Sequence, residues 1–284
     1  MANEAMRDNW SAGATGWVRN ERIFDAIFTP FTDAVVEAAD FTSATRVLDV
    51  GCGTGTLLAA AVGSGAHAVG VDISSAMVEA ASRRVPTATV IDADAQSADL
   101  LSLAPGTPFD RVVSRFGVMF FADPVAAFAN LRAAAAPEAR LAFVCWRDAE
   151  VDMFMLGLRR LCERLADRPS PPTIGAPGPL GFARADRIHE VLGGAGWSDV
   201  TIEAVDGRCD YSIDGSDGVE ERLQVALSTV VGRTLRAALE PQLGSVGWAA
   251  ALDDARAELR EHSPDGSFSM TGHVWLVTAT NPST

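Results

Sequence analysis

The chain has 284 residues, 48% of them hydrophobic, a formal net charge of −14 and a pI near 4.6. A surface this acidic repels phosphate backbones and makes nucleic acid a poor partner, and no apolar run approaches the roughly 20 residues of a membrane span. All 23 basic residues are arginine, so P-loop lysine chemistry, a pyridoxal Schiff base and a Tyr-x-x-x-Lys pair are excluded, and neither G-x-S-x-G nor H-E-x-x-H occurs. The start, "MANEAMRDNW", is polar with no apolar block behind it and does not read as a signal peptide, which gives a cytoplasmic expectation. Cys52, Cys145, Cys162 and Cys209 show neither C-x-x-C spacing nor a nearby histidine pair, so reduced thiols and no metal site are expected.

Residues 1–45 read as a helical cap, with Thr29 as an N-cap and Pro30 at the first helical position. From Arg46 short apolar runs at 46–50, 67–71, 88–92, 109–114 and 139–146 alternate with helical stretches at 55–63, 75–84 and 124–136. That alternation predicts βαβ units and a parallel sheet. After Trp146, residues 151–165 carry apolar positions at helical spacing, followed by the Pro/Gly loop "RPSPPTIGAPGPLGF". A helix over 183–197 and a strand over 199–213 come next. Helices over 219–239 and 248–261 would be either added core or a lid or dimer surface, and "GHVWLVTATN" closes the chain as a strand. One domain is expected, divided into the cap 1–45, a core 46–146, an insertion 147–182, and 183–284, which completes the sheet around a helical insertion 213–265.

The informative stretch is "RVLDVGCGTGTLLAAA". Glycines at 51, 53 and 55 allow a tight turn and let a ligand approach bare backbone, and the helix behind them presents free N–H groups. Asp72 ends the second strand, where a carboxylate can accept from both hydroxyls of a ribose. A dinucleotide fingerprint needs a glycine at 56, where this chain has Thr. Asp49, just ahead of the loop, suits a cationic amine-bearing ligand better than a pyrophosphate. Asp94 follows the third strand, placed to accept from an adenine amino group. Three acids converging on one crevice point to S-adenosylmethionine rather than NAD.

"VLDVGCGTG", "GVDIS", "DADAQ" and "FDRVVSRFGVMFFADPVAAFANL" together resemble the successive motifs of class I S-adenosylmethionine-dependent methyltransferases, closest to the UbiE/type 11-like bacterial small-molecule group. The resemblance covers 46–146 closely and the terminal strand more loosely. It implies a doubly wound, seven-stranded, mostly parallel α/β sheet with the last strand antiparallel, and helical insertions forming a lid. It further implies Gly51, Cys52 and Gly53 against the methionine part of the cofactor, Asp72 on the ribose, Ile73 and Met77 flanking the adenine, and Asp94 and Ala95 at its edge. Ser114 and Arg115 would lie beside the sulfonium.

Methyl transfer from a sulfonium needs chiefly alignment and exclusion of water, so no catalytic residue is named. Arg115 could bind a substrate anion or pair with a local acid. Phe116, Trp146 and Tyr211 are candidate substrate contacts, Trp146 equally a core residue. Trp10 and Trp17 could close over the cofactor or simply anchor the first helix. The expected function is methylation of a small hydrophobic or aromatic metabolite at O, N or C, with a homodimer possible. The alternatives are an NAD-linked oxidoreductase, a non-catalytic binding subunit, and another reaction of the same fold such as aminopropyl transfer or cyclisation.

Overall fold

The computed structural model describes residues 3–44, 46–147, 151–169, 172–263 and 265–283. Three helices open the chain: α1 (Glu4–Arg19), α2 (Glu21–Ile27) and α3 (Thr29–Ala39). The core then runs β1 (Arg46–Val50), α4 (Thr56–Gly63), β2 (His67–Asp72), α5 (Ser75–Arg84), β3 (Thr89–Asp92), α6 (Leu100–Leu103), β4 (Phe109–Arg115), α7 (Pro124–Ala134) and β5 (Ala135–Trp146). Behind it come α8 (Arg159–Cys162), α9 (Ala185–Gly194), β6 (Ser198–Asp210), α10 (Val219–Ser228), α11 (Val230–Glu261) and β7 (Ser269–Thr280).

The strands form one sheet in the order β3-β2-β1-β4-β5-β7-β6, with β7 antiparallel to both neighbours. β1 is buried along its whole length, as a central parallel strand covered on both faces must be. Helices α3 and α4 pack on one face, and α7 with α9 on the other. Parallel strands end on a common edge, so Val50, Asp72, Asp92 and Arg115 sit along one rim, joined by the end of β5 at Trp146. That order and the antiparallel last strand are the class I methyltransferase arrangement anticipated from the motifs. Among the described residues no helix is long and apolar enough to cross a membrane.

Three local expectations need correcting. The helix anticipated over 151–165 is instead a 3-10 turn at Val151–Met155 and the short α8. Gly157 separates them at φ +86, its backbone pressed on Leu259, so apolar spacing there marks contact with α11 and not a continuous helix. The helices anticipated over 219–239 and 248–261 divide elsewhere. Thr229 is extended, caps α11 by accepting from the Gly232 N–H, and breaks the first helix, whereas α11 runs through 240–247 with a kink at Gly244. Finally, α3 begins at Thr29, so Phe28 holds the cap position and Pro30 lies one residue further in. Residues 148–150 and 170–171, within the anticipated 147–182 insertion, lie outside the described residues.

Candidate cofactor and substrate site

The rim of the sheet opens into a single cavity of about 600 Å³, roofed by α1, the 151–155 turn, the 172–179 loop and the α10–α11 junction. At one end the glycine loop turns back under β1. Gly51 has φ +66, and a Cβ there would stand 2.8 Å from the Gly117 Cα, so backbone packing alone demands glycine. Gly53 has φ +54 and nothing within 4 Å of the Cβ position. It presents bare backbone to the cavity.

The Gly53 N–H donates to Asp72 Oδ2 at 2.9 Å, and the Ser74 N–H donates to Asp72 Oδ1 at 2.9 Å. One carboxylate thus ties the loop to the end of β2. Burial pushes Asp72 up to about 6, against the pull of those two N–H groups. Asp49 is 1% exposed, and its Oδ1 has no hydrogen-bond partner. Burial raises it to about 7, with Arg115 opposing and Asp72 adding to the rise. A buried carboxylate with an orphaned oxygen is costly unless a cation completes it. Burial lifts the Cys52 thiol well above its ordinary value, with the charges of Asp72 and Asp49 adding, so this loop cysteine is not an activated nucleophile.

Asp94, Ala95, Ile73 and Met77 all line the same end of the cavity. The Asp94 carboxylate accepts from the Gln96 N–H at 2.9 Å and from the Asn3 side-chain amide at 3.0 and 2.9 Å. Asn3, at the start of α1, thereby fastens the N-terminal helix to the acid behind β3. It also accepts from the Ala122 N–H at 3.2 Å.

Ser114 and Arg115, expected beside the sulfonium, are both tied to neighbouring groups of the protein. Ser114 does not line the cavity: its hydroxyl donates to the Val50 carbonyl at 2.7 Å and accepts from the Gly117 N–H at 3.1 Å, stitching β4 to β1. Arg115 lines the cavity but is held by its neighbours, donating to Thr32 Oγ1 at 2.8 Å and lying 3.8 Å from the Asp25 carboxylate. Of the two readings offered for Arg115, the local pairing is the one observed.

The cavity is also walled by aromatic rings. Trp17 stacks on Phe24 with ring centroids 3.8 Å apart, and Trp10 meets Trp17 and Phe120 edge-on at 5.6 and 5.0 Å. Phe116 stacks on Trp146 at 4.4 Å and 12°, and Phe154 abuts Trp146 at 5.7 Å. Phe116 holds φ +66, a strained geometry for a bulky residue that sets its ring across the rim. Tyr211, also expected here, lines the cavity against Phe268. No histidine is among the lining residues.

Three contributors escaped the sequence reading. Asn3 gave no signal at all, as a polar residue ahead of a helix. Phe28 reads as ordinary helix core yet bridges Phe24, Phe116 and Trp146. Arg222 could have been found: it lies three residues after Val219 and four before Ala226, on the buried stripe of α10, where an arginine is out of place.

A bare backbone at Gly53, an unpartnered Asp49 oxygen and a rim acid at Asp72 fit a ligand carrying ribose hydroxyls and positive charge. They do not fit paired phosphates. Known proteins agree. The methyltransferase-domain family model matches residues 47–138. The demethylmenaquinone methyltransferase of Paenarthrobacter aurescens (strain TC1) is 26% identical over 181 residues, covering 61% of this chain and 70% of that protein. The aklanonic acid methyltransferase DauC of Streptomyces sp. (strain C5) is 31% identical over 118 residues, 39% of this chain and 52% of that one. Among solved structures, the YcgJ protein of Bacillus subtilis superposes with a TM-score of 0.54 at 17% identity, over 89% of this chain and 98% of that one. That domain is seated on this sheet with its acids gathered at this rim, and together with the named relatives it supports a class I S-adenosylmethionine-dependent methyltransferase.

Proposed function

We propose that the protein methylates a small hydrophobic or aromatic metabolite held between the glycine loop and the roof. The observation that carries this reading is one cavity lined by the rim acids Asp49, Asp72 and Asp94 and by a cluster of aromatic rings. The names of the two relatives, a demethylmenaquinone and an aklanonic acid methyltransferase, both point to ring-bearing acceptors and support it.

S-adenosylmethionine, when bound, supplies an electrophilic methyl on a sulfonium with a good leaving group. Gly53 leaves space for the amino-acid part, Gly51, packed on Gly117, lets the loop turn beneath it, and Asp49 would complete its ammonium charge with the orphaned oxygen. Asp72 has lone pairs to spare beyond the Gly53 and Ser74 N–H groups and would hold the ribose. Ile73 and Met77 would sandwich the adenine, with Asp94 and Ala95 reading its edge once the Asn3 amide yields its place. The aromatic wall of Phe28, Phe116 and Trp146 would hold a flat acceptor and exclude water. Such alignment in a dry site supplies most of what an in-line displacement needs. The roof segments would act as a lid. Neither Cys52 nor any histidine is placed to serve as a base, which suits an acceptor that arrives ionised or already nucleophilic.

The test is incubation with S-adenosylmethionine and a panel of phenols, aromatic acids, amines and activated carbon acids. The expected product is heavier by one CH₂ unit, with stoichiometric S-adenosylhomocysteine. Cofactor bound but never consumed across the panel would favour a non-catalytic binding protein, and a product of unchanged mass would favour cyclisation.

A further inference from the structure

Two cationic side chains line the cavity, Arg115 and Arg222, and their surroundings differ. Arg115 is answered by Asp25. Arg222 is 5% exposed, and among the described residues no carboxylate stands within ion-pair distance of it. Its Nη2 donates to the carbonyls of Met153 and Leu156 at 2.8 and 2.9 Å. Its Nη1 makes a long 3.5 Å contact to the Tyr211 hydroxyl, with the guanidinium carbon 5.7 Å from that ring's centroid, and Nε has no partner. Carbonyls satisfy hydrogen bonds but do not neutralise charge. A buried guanidinium without a counter-anion is an incomplete site.

The position is as telling as the lack of a partner. Asp49, Asp72 and Asp94 belong to the β1-β2-β3 half of the sheet. Tyr211 directly follows β6, on the opposite half, and Arg222 faces it from α10. The cavity thus has three carboxylates on the β1-β2-β3 side and a guanidinium on the β6 side, and the acidic side already suits a cationic cofactor. The Tyr211 hydroxyl, if it accepts from Arg222, keeps its own proton free to donate.

We propose that Arg222, with the Tyr211 hydroxyl beside it, anchors an oxyanion of the methyl acceptor, so that the substrate class is an aromatic metabolite bearing an acidic oxygen. This rests on the methyltransferase reading and narrows it. The oxyanion supplies the counter-charge that the fold withholds, and the aromatic wall beside it takes the ring. Because Arg222 also holds the 153–156 turn, an anion drawn to it would steady that part of the roof over the acceptor.

The experiment uses the full chain saturated with S-adenosylhomocysteine, at pH 8.5, and two matched probe pairs measured by calorimetry. One pair is 1-naphthoate against 1-naphthamide, the other 4-nitrophenolate against 4-nitroanisole. The expected result is at least tenfold tighter binding of the anion in one pair or both, and the pair that shows it distinguishes carboxylate from phenolate. Arg222→Met is expected to bring the preference within twofold, Arg222→Lys to keep part of it, and Tyr211→Phe to reduce it several-fold. S-adenosylhomocysteine affinity should stay within threefold throughout. Should Arg222→Met fail to fold, the lysine variant and the wild-type preference still decide. No anion preference in the wild type, whether both members bind alike or neither binds, overturns the proposal, as does a preference that survives in Arg222→Met. Loss of S-adenosylhomocysteine binding by the wild type would instead sink the underlying methyltransferase reading.

Discussion

The two walls of the cavity are built by different means. The acidic wall is made of backbone and short side chains fixed by the sheet: Gly51 has no room for a Cβ beside Gly117, and Asp72 is locked by two N–H groups. The aromatic wall is made of large rings and a buried arginine brought in by α1, α2 and the residue after it, the ends of β4 and β5, the 151–155 turn and α10. The first leaves almost no freedom in residue type. The second fixes only volume and apolar character, which many residue sets meet. The difference teaches that cofactor and acceptor recognition are separable here, and substitutions at one wall should leave the other nearly intact.

Trp146→Ala breaks the aromatic wall most severely. Removing a ring packed on Phe116, Phe28 and Phe154 should cost about 4 kcal/mol of stability, read by denaturant unfolding. S-adenosylhomocysteine affinity in the folded protein should stay within about threefold, since the ring packs on Phe28, Phe31, Phe116 and Phe154. At the acidic wall, Gly51→Val forces a branched side chain into a φ of +66 against backbone. It should cost roughly 3 kcal/mol and abolish cofactor binding by calorimetry, and retained affinity would show that the loop is not the cradle.

Asp72→Asn keeps the shape and removes the charge. Charge-assisted hydrogen bonds are worth about 1.5–3 kcal/mol, so S-adenosylhomocysteine should bind roughly tenfold to a hundredfold more weakly, with the anion preference of the aromatic wall unchanged. The pH dependence sharpens the contrast further. Asp49 is raised to about 7 in the folded chain, so the native state holds a proton there that the unfolded chain has released. Its contribution to apo-protein stability is therefore full below about pH 4 and lost as pH climbs to 7. A cationic ligand reverses the preference by favouring the ionised form. S-adenosylhomocysteine, which carries the same ammonium as S-adenosylmethionine, should accordingly bind more tightly at pH 8 than at pH 6, by up to about tenfold. An affinity unchanged over that range would remove Asp49 from contact with the ammonium charge.

The smallest effect is expected at Asn3. Its amide occupies the Asp94 carboxylate, so Asn3→Ala should raise the binding-competent fraction and tighten S-adenosylhomocysteine binding by about two- to fivefold. Weaker binding would instead make Asn3 part of the bound site.

How much of this was legible in sequence follows the same division. The first four strands and the helices α4, α5 and α7 could be read to within a residue or two, because parallel strands are unbroken apolar runs and their turns need glycine or a cap at fixed places, whereas β5 begins at Ala135, inside the stretch read as helix, and the short α6 was not anticipated. Asp49, Asp72 and Asp94 were legible because each sits at a strand end, which topology carries to one rim. Ser114 and Arg115 sit at an equally telling place, yet one bonds to backbone and the other to Asp25. Position along a strand does not reveal what a side chain meets across it. Beyond Trp146 the apolar spacing at 151–165 reported burial against α11 and concealed the break at Gly157. Thr229 as a cap inside an apparently continuous helix was legible in principle from its Thr-x-x-Gly spacing, but the apolar repeat running through it masked the break.

The account depends most directly on what the acidic wall accepts. Calorimetric titration of the folded wild-type chain with S-adenosylhomocysteine and, separately, with NADH tests it in one comparison. The account predicts one saturable site for S-adenosylhomocysteine and no heat of binding for NADH. Binding of NADH, or silence toward S-adenosylhomocysteine from protein verified as folded, would contradict it.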